Sequence, residues 1–417
     1  MKFGIRTLDD IDVKGKTVLC RIDINQAVDR ITGTLKDETR IAACIPTLNE
    51  LSAKGAKLVL LAHQGSDIEY ENYYTTAPHA EVLRRLLGRE IKFIDDVCGP
   101  AAREMIKKLR DGEILLLDNV RFVAEEQTLF ETNLKLSHEE QAKTLLVRKL
   151  APLADLYICD AFAAAHRDQP SLCGFQQILP SAMGRLFEEE YGVISSLMEN
   201  PARPCVFVLG GSKINDAFLM METVLKSGAA DLVLAGGLVG QVLLWAAEKD
   251  IGEASRAFII KKGFDKLIAA GKSLFGSYSS KIVMPSDVAY IRDGKRIECK
   301  SDSVPSSDMI MDIGEETAKK YGELIRTAKT VFVNGPPGVY EDQAAEKGTR
   351  MIWDALGDTE GYTVIGGGDS IAVTKKFKKT DTINYICTGG GALIRFLSGE
   401  ELPVVKALKH GSKIRQK

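Results

Sequence analysis

The chain has 417 residues, of which 45% are hydrophobic and 27% charged, and a formal net charge of −2. That length exceeds what one hydrophobic core usually serves, so two domains are expected. The near-zero charge excludes a nucleic-acid binder that relies on a global positive field, and leaves only a local basic patch open. The eight cysteines are scattered, without a C-x-x-C pair or metal-ligand spacing. Reduced, mostly buried thiols of a cytoplasmic protein are expected from this. The opening stretch MKFGIRTLDDIDVKGK has no signal-type apolar core. The longest apolar run, LVLAGGLVGQVLLWAA, is broken by glycines and bounded by Asp231 and Glu248. It is too short for a comfortable membrane span and reads as a buried strand entering a helix.

Taken in chain order, strands are read at KTVLCRID (16–23), AKLVLLAH (56–63), EILLLDNVRF (113–122) and LADLYICDAF (153–162). Between the first two, Ile41, Cys44, Ile45, Leu48 and Leu51 fall at helical spacing, and Gly55 supplies a stop. The stretch FEEEYGVISSLMENPARP (187–204) is an acidic helical connector ending in prolines. Beyond it, strands are read at PCVFVLGG, ADLVLAGG, KTVFVNGPPG, YTVIGGGD and INYICTGGG. Short apolar runs alternating with helical segments predict an α/β protein with two doubly wound parallel sheets. The expected domains are residues 1–182 and 201–392, joined by a connecting helix at 183–200.

Ligands of open parallel sheets bind beyond the carboxyl ends of the strands, and the two halves end their strands differently. The first half ends in Arg21, Asp23 and Asn25, then His63, then Asn119 and Arg121, then Asp160, His166 and Arg167; Arg40 opens its first helix. Guanidinium forks grip phosphate or carboxylate through paired hydrogen bonds, so this set suits a small hydroxylated anion. Solvated loop residues with routine ion pairs are the plainer alternative. The second half ends in glycine: Gly210–Gly211, Gly236–Gly237, Gly335 and Gly338, Gly366–Gly368, Gly389–Gly391. Glycine admits a polyphosphate to backbone N–H groups, and a following helix turns its positive end toward it. Tight strand–helix turns would account for one or two of these clusters.

No P-loop is present, since AAGKS (269–273) lacks the required upstream glycine and is a chance match or a helix stop. No G-x-G-x-x-G fingerprint or protein-kinase signature appears either. The pattern points to a two-domain small-molecule phosphotransferase whose ligands occupy opposite walls of a closing cleft. Asp369 is the natural holder of Mg²⁺ on the nucleotide phosphates, and Lys213 can neutralise a migrating phosphoryl group.

The segments RIDIN, DETRI, LLLDNVRF, DAFAAAHR, VLGGSK, VNGPPGVYE, VIGGGDS and TGGGA, in this order, resemble the phosphoglycerate kinase family over nearly the whole chain. The resemblance implies two Rossmann-like domains facing a cleft. It also implies Mg²⁺-dependent, reversible transfer of the ATP γ-phosphoryl group to the carboxylate of 3-phosphoglycerate. Asp23, Asn25, His63, Gln64, Gly65, Ser66, Arg121 and Arg167 would hold the acid, with Arg40 beside the transferring group. Gly210, Gly211, Lys213, Gly237, Asn334, Pro336, Glu341, Gly366, Gly367, Gly368, Asp369 and Ser370 would hold the nucleotide. Arg40, Lys213, Gly367 and Gly390 would serve the transfer itself. The residues from about 393 to 417 are expected to pack back onto the first domain. Partners beyond these two small molecules, including nucleic acid or membrane, are not expected; a monomer is expected, with a dimer as the alternative.

Two positions depart from the family. Ser66 stands in HQGS where an arginine is usual, and Ala217 where a lysine is common. The AHQG wording resembles the archaeal branch, in which the lysine position varies; Ser66 has no such explanation. A kinase for another small acid, or a silent nucleotide-binding homologue, remains as an alternative. The intact Arg40, Lys213, Glu341 and Asp369 weigh against silence. The missing dinucleotide fingerprint weighs against a dehydrogenase.

Overall fold

The computed structural model describes residues 1–29, 31–65 and 73–416. The chain divides into two compact units, residues 1–192 together with the segment from Glu401 onward, and residues 193–400. The boundary falls inside the helix Arg185–Glu199, within the acidic stretch read as a connector. The helix Gly390–Leu397 belongs to the second unit, where it packs on the helix Ile214–Lys226. The segment assigned to the first unit therefore starts at 401 rather than about 393. Its helix Pro403–Gly411 lies against the sheet strand at 181–183.

The first unit contains β1 (Thr17–Arg21), β2 (Lys57–Leu61), β3 (Lys92–Ile94), β4 (Ile114–Leu117), β5 (Leu156–Cys159) and β6 (Ser181–Met183). They form one parallel sheet in the order β3-β4-β2-β1-β5-β6. The inner strands are buried on both faces: in β1, Val18, Leu19 and Cys20 are inaccessible, and so are Leu58 to Leu61 of β2. That is why they read as continuous apolar runs rather than alternating ones. The helix Thr39–Ala53 buries Ile41, Cys44, Leu48 and Leu51 against them, as its spacing predicts. Gly55 then turns the chain with φ +81°.

The second unit contains β7 (Cys205–Leu209), β8 (Leu232–Ala235), β9 (Ile282–Val283), β10 (Asp287–Arg292), β11 (Lys295–Lys300), β12 (Asp312–Ile313), β13 (Thr330–Asn334), β14 (Tyr362–Gly366) and β15 (Tyr385–Ile386). Its parallel sheet runs β15-β14-β13-β7-β8-β9, and β11-β10-β12 form a separate antiparallel sheet. The run at 232–247 is β8 followed by the helix Gly237–Ala246, and among the described residues no helix is long and apolar enough to cross a membrane. The GKS match lies inside the helix Ile268–Tyr278, so it does not stop a helix. A Cβ on Gly271 would come within 2.9 Å of Ala246, which makes it a packing glycine.

β3, β6, β9 and the β10–β12 sheet are not among the strands read from sequence. β3, β6 and β9 are edge strands of two or three residues, too short for any period to register. β10 and β11 pair residues rich in charge, such as Arg292 with Lys295 and Ala289 with Glu298.

Candidate active site

In the first unit the strand ends converge around a histidine. β1 delivers Arg21, which is 1% exposed. Its Nε donates to Ser171 Oγ at 3.1 Å and its Nη1 to the Ile22 carbonyl at 2.5 Å. Its Nη2 lies 3.0 Å from His63 Nδ1. A guanidinium can only donate, so Nδ1 accepts and the His63 proton sits on Nε2. Burial first, and then the positive charges of Arg21, Arg121, Arg167 and Arg40, push the His63 pKa well below its ordinary value. The ring is therefore neutral, a positioned N–H donor held by Arg21 and within the electrostatic reach of Arg121, Arg167 and Arg40.

Arg40 Nη1 is held 2.5 Å from Asp23 Oδ2, the carboxylate nearly buried and the guanidinium about one-third exposed. Asp23 Oδ1 accepts from Asn25 N at 3.1 Å, and Asn25 Oδ1 accepts from Gly65 N at 2.9 Å. Asn119, just past β4, ties two loops together. Its Oδ1 accepts from Gln64 N at 3.2 Å and from Arg121 N at 3.0 Å. Arg121 donates to the Gly65 carbonyl, yet its buried Nε has no partner. Burial, followed by the charge of Arg167, lowers its pKa to about 10. A buried guanidinium with an unmet donor beside another cation calls for an anion. Arg167 Nη1 lies 3.8 Å from Glu131 Oε2.

Gln64 is spent internally: its Oε1 accepts from Gln26 N at 3.1 Å and lies 2.9 Å from His79 Nε2. It shapes the loop rather than presenting an amide to a ligand. Ser66 and Tyr70 lie outside the described residues. Of the tyrosines that follow, Tyr73 stacks under Arg121 at 5.9 Å and Tyr74 gives its carbonyl to Asn119 at 3.0 Å.

Two buried carboxyls back this cluster. Glu126 Oε1 accepts from Ser171 N at 2.5 Å while Oε2 is unpartnered, and burial raises its pKa to about 7. Asp160 Oδ1 accepts from Leu186 N at 3.0 Å and Phe187 N at 3.2 Å, capping the helix that follows. Burial raises its pKa to about 7 as well. Asp160 thus serves the chain turn at Gly184, where a Cβ would come within 2.2 Å of its Oδ1. Glu126 carries no sequence signal of its own, since Glu125 and Glu126 read as an ordinary surface pair.

In the second unit the glycines divide into two kinds. β7 and β13 are neighbours from which the chain winds in opposite directions, a topological switch point. There the strand-end loops pass backbone against backbone. A Cβ on Gly210 would sit 2.3 Å from the Pro336 carbonyl, and one on Gly335 (φ +88°) 2.3 Å from the Gly210 carbonyl. Gly236 meets Pro337 at 2.4 Å, and Gly366 meets Leu393 at 2.2 Å. These four are packing glycines. Gly368 and Gly390, in contrast, have nothing within 4 Å of their Cβ positions.

That open space is a cavity of about 80 Å³ between Gly210–Lys213, Asn334, Gly367–Asp369 and Gly390. The helices Gly368–Lys376 and Gly390–Leu397 begin at its wall, and neither N-terminus has a side-chain cap. Their first N–H groups are therefore available to an anion. Ser370 is fully buried, and its Oγ accepts from Gly335 N at 2.7 Å, fixing the loop rather than lining the cavity. Ala217 is also fully buried, one turn beyond Lys213.

Through Gly211, Ser212 and Asp369 this cavity adjoins a second one of about 230 Å³. Its walls are mainly apolar, with Leu238, Phe258, Met309, Met311, Val339 and Tyr340, and Glu341 and Pro336 complete it. A flat aromatic group fits such a lining, with a carboxylate at its side for hydroxyls. The apolar wall escapes sequence reading because Phe258 and Met309–Met311 come from segments that look like ordinary core. Asp369 offers one carboxylate next to the anion cradle, the donor set a phosphate-bound Mg²⁺ requires.

Comparison with known proteins gives these features a family. Residues 8–400 match the model of the family described as phosphoglycerate kinase. Over 409 residues the chain is 46% identical to the phosphoglycerate kinase of Methanothermobacter thermautotrophicus, covering 98% of each chain. It is 44% identical over 411 residues to that of Methanothermus fervidus, covering 99% of this chain and 98% of the relative. The crystal structure of phosphoglycerate kinase from Pyrococcus horikoshii OT3 superposes with a TM-score of 0.85 at 39% identity, covering 97% of this chain and 98% of that one. The enzyme from Coxiella burnetii gives 0.83 at 28% identity, over 98% and 100% of the two chains.

Proposed function

Since the chain belongs to the phosphoglycerate kinase family, we propose that the two sites divide its phosphotransferase reaction between an acid-binding first unit and a nucleotide-binding second unit. The observation that carries this assignment is the cluster of Arg21, Arg40, Arg121 and Arg167 around a neutral His63. An acid bearing both a phosphate and a carboxylate answers that cluster, and 3-phosphoglycerate is such an acid. His63 donates from Nε2 to an oxygen of the acid, and Arg121 and Arg167 neutralise its phosphate. Asn25 and Asp23 take its polar middle, and Asp23 also aims the Arg40 guanidinium.

On the second unit the base enters the apolar cavity, Glu341 accepts from the ribose hydroxyls, and the phosphates lie against Gly367, Gly368 and Gly390. Asp369 would hold Mg²⁺, which when bound neutralises charge on the phosphate oxygens. In the transfer, a carboxylate oxygen of the acid forms a bond to the γ-phosphorus as its bond to the bridging β,γ-oxygen breaks, and ADP leaves. The carboxylate is already ionised at neutral pH, so no general base is needed. Catalysis is positioning plus charge neutralisation by Arg40, Lys213 and the backbone N–H groups.

The test is a coupled assay of Mg·ATP consumption with 3-phosphoglycerate. Turnover that collapses in Arg40→Ala establishes the assignment. Folded protein that binds Mg·ATP yet fails to turn over with 3-phosphoglycerate removes the acid from it, and leaves a kinase for another small acid.

A further inference from the structure

Behind Arg167, the structure brings together a histidine, a carboxylate and a thiol that sequence spacing does not reveal. His138 begins the short helix His138–Gln141, Asp168 follows Arg167 beyond β5, and Cys173 ends the helix Pro170–Cys173. One ligand atom from each lies within 4.8 Å of the other two. His138 Nε2 is 3.2 Å from Asp168 Oδ1. Ligand atoms of a tetrahedral zinc ion, at about 2.0–2.3 Å from the metal, stand roughly 3–4 Å apart. Asp168 is 43% exposed, which opens the cluster to solvent, whereas Cys173 is inaccessible.

Gln141 supplies an independent indication. It is 1% exposed, and its Nε2 donates to Asp168 Oδ1 at 2.6 Å, as an outer partner orienting a metal-ligating carboxylate does. Its Oε1 is buried without a hydrogen-bond donor. A metal-bound water is a donor of the kind this acceptor lacks. The N, O and S ligand set belongs to a borderline divalent ion of the zinc class rather than to Mg²⁺ or Ca²⁺.

We propose that His138, Asp168 and Cys173 form a site for a zinc-class divalent cation, with Gln141 as its outer support and a fourth position left to water. Binding takes the thiol proton of Cys173 into solvent and leaves a thiolate–metal bond. It also ends the contact in which Cys173 Sγ donates to the Arg167 carbonyl at 3.7 Å. The ion therefore acts on the backbone that carries Arg167, and occupancy weakens the grip on the acid.

Co²⁺ titrated into the native chain is the first test. A near-ultraviolet thiolate-to-cobalt band and visible tetrahedral bands should saturate at one ion per chain and be displaced by Zn²⁺. Cys173→Ser should abolish the band. His138→Ala, at a less buried position, should weaken Co²⁺ binding at least tenfold, and Gln141→Leu about tenfold. Absence of a saturable band, or a band that survives in folded Cys173→Ser, overturns the site. In the kinetic arm, Zn²⁺ should raise KM for 3-phosphoglycerate several-fold in the native chain and not in His138→Ala. A cobalt spectrum with an unmoved KM overturns the link to Arg167. That arm alone rests on the assignment of Arg167 to the acid; the spectroscopic arm does not, so the two failures are distinguishable.

Discussion

On the assignment proposed above, the two units meet the same problem, an anion in a folded protein, by opposite means. The first uses long charged side chains, which must be gathered against their mutual repulsion. Asn119, Ser171 and the Gln64 loop do the gathering, and Asp23 and Glu131 supply counter-charge. The second spends little formal charge. It places the N-termini of helices around an open space and keeps side chains out of it with glycine. A charged cluster can discriminate among small anions by geometry, but it leaves buried titrating groups in its support. A backbone cradle adds few charged side chains, Lys213 and Asp369 among its lining. What it demands instead is close contact between loops.

The largest expected effect falls on the charged side. Arg40→Ala should lower kcat about a thousandfold, on the scale of other guanidinium groups that stabilise a transferring phosphoryl group. The affinity for ATP should barely change, and a matching loss of ATP binding would mean that the two sites do not divide the labour in this way.

The cradle breaks through its packing. Gly236→Ala drives a methyl into Pro337 and should destabilise the second unit by about 3 kcal/mol or more, read by urea unfolding. Only an unaltered midpoint would show that the contact relaxes freely.

The supporting acids of the first unit predict a slope with pH. The folded Asp160 carboxyl keeps its proton to about pH 7, whereas the unfolded one loses it near the ordinary value of 3.8. The folded chain therefore binds more protons between those limits, and its stability falls as pH rises through that window. Asp160→Asn should leave low-pH stability nearly unchanged and exceed the native chain by roughly 2–4 kcal/mol above pH 7. A gap between the two chains that is constant from pH 4 to 8 would rule this out.

The smallest effect separates the two kinds of glycine. Gly368→Ala meets open space and should shift stability by no more than about 0.5 kcal/mol, while raising KM for ATP about tenfold by occupying the phosphate cavity. Paired with Gly236→Ala, it sets an affinity loss against a stability loss for one chemical change.

The parts of this architecture visible in the sequence are those written as contiguous signals. Inner strands appear as unbroken apolar runs because both faces are buried, and strand-end chemistry comes with them directly: Arg21 as the last residue of β1, His63 after β2, Gly367 after β14. The helix at 39–53 shows through its period. What stays hidden is assembled from afar. The apolar cavity draws Leu238, Phe258, Met309 and Tyr340 from four separate segments, each indistinguishable from core. Glu126 is singled out only by burial against Ser171. Gly366 and Ser370 look like their neighbours in VIGGGDS, yet one packs against Leu393 and the other braces Gly335. The order of residues in a loop says which are near the ligand, not which of them face it.

The wall at Met309–Met311 has a consequence for how such a protein can diversify. It leads directly into β12 of the small antiparallel sheet, and Asp312 there is locked to Arg296 at 3.0 Å and to Gly348 N at 2.6 Å. The proposed phosphate cradle belongs to the parallel sheet instead. On the assignment proposed above, substitutions at Met309–Met311 rework one part of the lining that meets the base, while the loops of the phosphate cradle stay as they are. Nucleotide preference and phosphoryl transfer then answer to substitutions in different segments of the second unit.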